Sequence, residues 1–353
     1  MKQLSRQDGI INLIGILPAN ARYRQMPLEE IILSLLRLQK GHMSAKNLAN
    51  ETGMSISAIS KRINLLRKYG YDVELSHRRG YRLASETDLP VPWELAKVLD
   101  TLFVGKDKKI IYRLTTHSTQ KLAILLAEKN PNSDGTVIIA EYQKSGRGRK
   151  NRKWLSPKGG VWLSVVLRPS MPASNITLLP FAAALAVCDA IKKTTQLDAK
   201  LRWPNDVTIS GKKVAGILID SSVEAERINY AVIGIGVNAN VDSSIISLHL
   251  ERSIKVTSLR NELGHKTSLL VLTKEILERL EYYYIELEHR VPHTIIEKWK
   301  KNSDILGQKV ALMQSNRTIQ GIAADVKDDG SLLIKADNYE DINVVASDIY
   351  VRY

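Results

Sequence analysis

Two prolines at alternate positions, in Leu89-Pro90-Val91-Pro92, divide the 353-residue chain into parts with different patterning. The residue before each proline is pushed toward extended backbone, so the segment reads as a linker. Upstream, apolar residues recur at helical spacing; downstream they run together or alternate as strands do. A chain of this length suggests two or three domains. The pattern places them at 28–88, 89–304 and 305–353, after an N-terminal extension, 1–27.

In the upstream part Pro27 precedes Leu28, Ile31, Ile32, Leu35 and Leu36, the apolar face of one helix. Ser44 is placed to cap a short helix that carries Leu48 and Ala49 and ends near Gly53. After Gly53-Met54-Ser55 a third helix is expected to bury Ile56, Ile59, Ile63 and Leu66. Helix, short helix, glycine-containing turn, helix is the pattern of a helix-turn-helix. The other face of the third helix carries Ser57, Ser60, Lys61, Asn64 and Lys68, flanked by Arg62 and Arg67. These are hydrogen-bonding groups suited to base edges, with cations suited to phosphates. Val73, Leu75, Tyr81 and Leu83 alternate around His77-Arg78-Arg79-Gly80, a hairpin wing with Arg78 and Arg79 at its tip. Each basic stretch alone is an ordinary solvated surface; their combination points to DNA.

Charge follows the same division. The chain has 51 Lys and Arg against 37 Asp and Glu, net +14. Residues 1–85 hold 14 and 6, and residues 141–158 hold 7 and 1, so the two stretches carry the whole excess. A polyanion is the natural partner of each. The single Cys188 excludes an intramolecular disulfide and a multi-cysteine zinc site, and fits a reducing, cytoplasmic setting. No apolar run reaches the ~18 residues that span a bilayer, so no membrane partner is expected. Lys2 and Arg6 ahead of the run from Ile10 to Leu17 imitate a weak signal peptide, which Asp8 and Asn12 oppose. The alternative is an apolar stripe that packs on the first domain.

Beyond the linker, strands are expected at Ile110 to Leu114, Thr136 to Glu141, Val161 to Leu167, Val207 to Ile209, Ala215 to Ile219 and Tyr230 to Ile235. Helical patterns lie at Ser118 to Glu128, Leu178 to Thr194 and Leu269 to Glu288. Interspersed strands and helices indicate a mixed α/β core within an α+β multidomain chain. From Leu306 onward, short alternating runs separated by Ser315-Asn316 and Asp328-Asp329-Gly330 suggest a small β-barrel.

Three constellations stand out. Gly146-Arg147-Gly148-Arg149-Lys150-Asn151-Arg152-Lys153-Trp154 joins two apolar strands. Its glycines permit unusual backbone conformations and close approach, and its arginines offer forked donors to carboxylate or phosphate. So much like charge is expected to keep the loop mobile until an anion neutralises it. Arg202-Trp203-Pro204-Asn205-Asp206 joins a cation, an aromatic and a rigid turn, which could hold a phosphoryl group. Lys213-Val214-Ala215-Gly216-Ile217-Leu218 and Gly234-Ile235-Gly236-Val237-Asn238 are apolar strands with glycines where a ligand can come close. Gly234 to Ala239 also fits a loose G-x-G-x-x-A dinucleotide pattern, but Asn240 to Ser244 starts no convincing helix.

Taken in order with Ser118-Thr119-Gln120 and Glu141-Tyr142-Gln143, these motifs resemble those of biotin protein ligases. The helix-turn-helix resembles that of the bifunctional members that also repress the biotin operon. The resemblance implies a winged helix-turn-helix, a central mixed α/β ligase domain of the class II synthetase type and a small SH3-like C-terminal β-barrel. It implies biotin and ATP as substrates with Mg²⁺, and biotinyl-5'-AMP as intermediate and corepressor. A biotin carboxyl carrier domain of a carboxylase would accept biotin, and operator DNA would be bound by a homodimer. By the same resemblance Ser118, Thr119, Gln120 and Gln143 would hold the biotin rings, and Gly146, Arg147, Gly148 and Arg149 would close over the adenylate. Trp154 would pack on the nucleotide, and Gly216, Gly234, Gly236 and Asn238 would border it. Arg202, Arg147, Arg149 and Lys213 would carry catalysis. This chain has Arg202 where the family has Lys, and Gln120 where it has Asn. A regulator that no longer ligates, a ligase whose DNA-binding role is lost, and a lipoate-type ligase are the competing readings; the Lys213 to Leu218 motif and the helix-turn-helix oppose the last.

Overall fold

The computed structural model describes residues 27–353 except 108, 225, 248–254, 290–292, 315–316, 338–339, 346–348 and 352–353, so the stripe expected between Ile10 and Leu17 lies outside the described residues. The chain forms two compact units, meeting between Leu89 and Pro90.

In the first unit, α1 (Leu28–Gln39) buries Ile31, Ile32, Leu33, Leu35 and Leu36. Ser44 caps α2 (Ala45–Thr52), accepting from the Asn47 N–H at 3.0 Å, and Gly53 ends it at φ 70°. Ser55 caps α3 (Ile56–Lys68), which buries Ile59, Ile63 and Leu66. Ile56, expected in that core, is 53% exposed, because as the first helical residue it lies past the end of the packed stripe. The wing is β1 (Asp72–Ser76) paired antiparallel with β2 (Gly80–Ser85). Val73 and Tyr81 point inward; Leu75, nearer the tip, is exposed. Tyr81 and Met43 exchange both backbone hydrogen bonds, at 2.8 and 2.9 Å, which fastens the wing to the segment before α2. This close approach requires Gly80: its φ is 97°, and a Cβ there would overlap the Met43 carbonyl and stand 2.6 Å from Ser44 Cα.

The second unit opens with a departure from the linker reading. Val91 is fully buried, and Pro92 starts a helix, α4 (Pro92–Val98), where its fixed φ suits the first turn. Then come β3 (Ile110–Arg113), α5 (Thr119–Lys129), β4 (Val137–Ala140), β5 (Gln143–Arg147), β6 (Lys153–Ser156), β7 (Val161–Leu167) and α6 (Leu179–Thr195). They are followed by β8 (Ala199–Arg202), β9 (Asp206–Ile209), β10 (Lys212–Glu224), β11 (Arg227–Val237), α7 (Ser243–Ser247), α8 (Leu259–Leu263), α9 (Leu269–His289) and α10 (His293–Lys301). Seven strands form one sheet in the order β3-β4-β7-β11-β10-β9-β8, in which β3 and β4 are parallel and every other pair antiparallel.

Residues opposite each other in register share a sheet face. Leu163, Val165, Ile235, Ile233, Ile217, Val207 and Leu201 therefore face one way, all buried; α6 packs on β8 to β11 and in turn against α9. The stretch Ala173–Thr195 has the length and mean hydropathy, 1.6, of a membrane-crossing helix, but its apolar residues are spent on this core. On the opposite face α5 covers only one end, where Ala123 and Ala127 meet Ile138, Val166 and Val232. Farther along that face Gly234, Gly236 and Gly216 carry no side chains. β11 has antiparallel neighbours on both sides and no helix directly after it, which removes the dinucleotide reading of Gly234 to Ala239.

A small antiparallel sheet closes the unit: β12 (Lys309–Gln314), β13 (Arg317–Val326), β14 (Leu332–Ala336), β15 (Ile342–Val344) and β16 (Ile349–Val351), in the order β15-β14-β13-β12-β16. Its β13–β14 turn docks on the larger domain. Trp203 Nε1 donates to the Gly330 carbonyl at 2.9 Å, and Thr177 Oγ1 to that of Asp329 at 3.0 Å.

Gly80→Ala forces a positive φ and a backbone overlap, so chemical denaturation should show the first unit losing at least ~1–3 kcal/mol. Cys188 in α6 is fully buried, and burial pushes its thiol up to about 12. It stays protonated throughout the neutral range; Ellman's reagent should therefore find no reactive thiol in the native protein and one after denaturation.

Candidate functional site

The uncovered end of the central sheet is a floor. Gly216 and Gly236 are in register on β10 and β11, and Gly234 lies two residues back on the same face. The Trp154 indole lies against this bare backbone: a Cβ on Gly236 would stand 2.6 Å from Trp154 Nε1, and one on Gly216 3.0 Å from the ring. Trp162 supports the ring edge-on at a centroid distance of 6.5 Å, and Lys213 Nζ stands 5.1 Å above it.

Trp154 belongs to β6, and the basic segment expected as a loop is the β5–β6 hairpin, turning through a single 3₁₀ turn at Arg149–Asn151. The glycine argument is corrected with it. Gly148 is extended and a Cβ there would have room, whereas Gly146 is required by closeness, since a Cβ would sit 2.6 Å from Ser156 Oγ. Lys150 takes the left-handed turn position, at φ 53°.

At the α5 end of the floor a buried polar chain connects the expected ring-binding residues. Gln143 Oε1 accepts from the Thr119 N–H at 2.8 Å, and Gln143 Nε2 donates to Ser156 Oγ at 2.8 Å. Ser164 Oγ lies 2.9 Å from both Thr119 Oγ1 and Gln120 Oε1 and can give its one proton to either. Gln120 Nε2 donates to Asp220 Oδ2 at 2.9 Å and to the Val232 carbonyl at 3.0 Å. Ser118 is the buried cap of α5. Gln120 fills the space above Gly234, where a Cβ would overlap its Oε1.

At the other end the cations meet anions or amides of the fold. Lys213 Nζ stands 2.6 Å from Asp206 Oδ1 and Arg149 Nη1 donates to Asn205 Oδ1 at 3.0 Å, whereas Arg147 reaches back toward the polar chain, its Nη2 3.9 Å from Asp220 Oδ1. Asn205 in turn donates to the Ile217 carbonyl, so the Asn205-Asp206 turn is anchored to β10. Arg202 is gripped by Asp304 through Nε at 3.2 Å and Nη2 at 2.6 Å, and donates to the Gly211 carbonyl at 3.1 Å. Lys212 is committed to Glu262; burial works to raise that carboxyl's pKa, but the hydrogen bonds from Lys212 and Thr257 prevail and hold it below the usual range. Lys213 is thus the lysine of the pair that meets the floor. Asn238 is buried, its amide donating to the Thr257 carbonyl at 3.1 Å.

Most of the expected residues therefore converge on one surface, while Arg202 and Asn238 hold neighbouring segments together. Sequence reasoning passed over Ser164 and Asp220, and read Asp206 only as part of a turn. Ser164 had a visible signal, a lone hydroxyl inside the apolar run Val161–Leu167.

In the first unit Ser57, Lys61, Asn64 and Lys68 are exposed along α3, and Arg78 and Arg79 at the wing tip. Three other residues expected on or beside that face, Ser60, Arg62 and Arg67, are internal ties. Arg62 pairs with Glu29 of α1, and Ser60 Oγ lies 3.2 Å from Tyr81 Oη of the wing. Arg67 holds the Val73 carbonyl at 2.7 Å and Asn64 Oδ1 at 3.0 Å. A groove of about 410 Å³ between the α1–α2 connection and the wing is lined by Lys40, His42, Arg79, Arg82 and Glu74, among others.

Comparison with known proteins agrees with this division. The biotin/lipoate A/B protein ligase family model matches residues 112–238, an HTH domain model residues 29–82, and the biotin protein ligase C-terminal domain model residues 305–352. The bifunctional ligase/repressor BirA of Bacillus spizizenii is 33% identical, the match covering 83% of this chain and 89% of that protein. The Escherichia coli protein of that name is 28% identical, covering 87% and 92%. The Aquifex aeolicus biotin protein ligase solved with biotin and ATP superposes with a TM-score of 0.57 at 27% identity, covering 69% of this chain and 98% of that one. With helix-turn-helix, glycine-floored sheet and C-terminal sheet in this order, and with identity sustained across them, the chain belongs to the biotin protein ligase family, among its bifunctional ligase/repressor members.

Proposed function

We propose that this protein activates biotin with ATP, transfers it to a lysine of a biotin carboxyl carrier domain, and represses transcription through its N-terminal unit. The observation that carries the ligase reading is the glycine floor, with a buried amide and hydroxyl chain at one end, Lys213 and Arg149 at the other, and Arg147 between them beside Asp220. A neutral bicyclic ring bearing an N–H donor and a carbonyl suits Thr119, Gln120, Gln143 and Ser164; a carboxylate and a triphosphate suit the cations.

In the first step the biotin carboxylate oxygen attacks the α-phosphorus of ATP, and pyrophosphate leaves. Two anions must approach, so Lys213 and the hairpin arginines lower the barrier by offsetting charge that grows in the transition state. The flat Trp154 face on bare backbone suits an adenine ring. In the second step the acceptor amine attacks the mixed anhydride carbonyl and AMP departs; closure of the β5–β6 hairpin would keep water from that anhydride. No protein nucleophile is needed. Mg²⁺ enters with the ATP phosphates; among the described residues no group of three or more His, Cys, Asp and Glu side chains stands together to hold an ion of its own.

The exposed residues Ser57, Lys61, Asn64 and Lys68 support a recognition helix, and Arg78 and Arg79 a wing that grips phosphate. One such helix reads a half-site, so a homodimer on a two-fold operator, with biotinyl-5'-AMP as corepressor, in the cytoplasm, completes the reading. The Arg202–Asp304 pair favours one alternative, a regulator that binds biotin without ligating, because it engages the cation standing at the family lysine's position.

The pure protein given ATP, labelled biotin and a carrier domain should label the carrier. Lys213→Ala should lower adenylate formation by about 100-fold or more. Adenylate without transfer, or no reaction, would establish the regulator instead. In gel-shift titrations a Lys61→Ala, Asn64→Ala double variant should lose operator affinity while ligation persists, and its binding should depend less steeply on salt, by about one unit of slope.

A further inference from the structure

The apolar run of β10 stops at Asp220, a carboxylate on the same face as the glycine floor, opposite Val232. It is 30% exposed and has two partners from different parts of the site. Oδ2 accepts from the buried Gln120 amide at 2.9 Å, and Oδ1 lies 3.9 Å from Arg147 Nη2. The first contact is a well-formed hydrogen bond; the second is a loose ion pair, beyond hydrogen-bond length and without the forked geometry that makes an arginine–carboxylate pair strong. A free carboxylate placed on the floor can offer Arg147 the bidentate contact that Asp220 does not.

We propose that Asp220 is a positioning residue that helps hold Arg147 at the floor and yields it to the carboxylate of the incoming substrate. The inference rests on the biotin-ligase reading and deepens it. Gln120 connects the two ends of the site: its amide is held by Asp220, by the Val232 carbonyl and by Ser164 Oγ, so the ring-binding chain and the hairpin cation share one anion. Once a substrate carboxylate engages Arg147, two negative charges flank a single guanidinium. The charge of Asp220 therefore opposes biotin binding even while it orients the groups that receive it.

Asp220→Asn separates these effects, because it removes the charge and keeps an oxygen acceptor for Gln120. With full-length protein and biotin alone, titration calorimetry at low ionic strength should show Kd falling about tenfold, an advantage that shrinks at high salt. Adenylate assays should show KM for biotin falling without a rise in kcat. Asp220→Ala, which also strips Gln120 of its acceptor, should not show the gain. In an Arg147→Ala background Asp220→Asn should leave Kd unchanged, a coupling that a merely structural role would not produce. Unaltered or weaker binding in Asp220→Asn, or the same gain without Arg147, overturns the inference alone. Absence of biotin binding by the wild-type protein overturns the ligase reading and this inference with it.

Discussion

The close packing of an indole on glycine backbone sets the rest of the site. Where Gly216 and Gly236 pair, the sheet is thinner by a side chain on each strand, and Trp154 occupies the depth so gained. Since Trp154 pairs with Gly146 across the β5–β6 ladder, its seat fixes that hairpin, and with it Arg147 and Arg149. A side chain at either floor position would lift the indole and carry the cations away from the surface they serve. Binding geometry here is imposed by what the sheet lacks.

Around this floor the charges come in matched sets. Lys213 stands against Asp206, Arg147 against Asp220 and Arg202 against Asp304. In the basic segment, Arg147 meets a carboxylate far away in sequence, Asp220, and Lys158 meets Glu141 at the segment's own start. A partly buried cation without a counter-ion would be costly, and a strongly paired one would be slow to exchange. Of the three, the loose Arg147–Asp220 pair, at 3.9 Å, avoids both extremes, and a ligand anion there would replace a contact instead of stripping water from an isolated charge.

Much of the fold was legible. The helix-turn-helix followed from 3.6-residue periodicity and from the caps at Ser44 and Gly53, and β7 was read to the residue because its run is apolar at all but Ser164. The β5–β6 hairpin was not, since Lys, Arg and Gly at almost every position leave no alternation to detect. Nor was β8, a four-residue edge strand before the Trp203 turn. Of the residues named from sequence, the glycines and Lys213 meet on one surface; Gly146 was named for backbone freedom and approach to a ligand, whereas what it supplies is space inside the hairpin, beside Ser156. Asp220 and Ser164 went unrecognised because their partners lie across the sheet, and register, which decides those pairings, is a property of the fold. Arg202 shows the converse limit: a motif names a residue without saying that Asp304, a hundred positions on, holds it.

The Trp203 indole links matters that the family models keep apart. They place a boundary at residue 305, yet residues 90–353 are one compact unit, and the residue between Arg202 and Pro204 donates its N–H to Gly330 in the small sheet. Gly330 is also pressed against Phe181 of α6, where a Cβ would stand 2.8 Å from the ring. Cutting the chain at 305 would leave Trp203 with an unmet donor and Phe181 without its cover, at the turn whose Asn205 and Asp206 hold Arg149 and Lys213. The C-terminal sheet is in that sense a keystone of the cation-bearing end of the floor, and two separately matched family models describe parts of one compact unit.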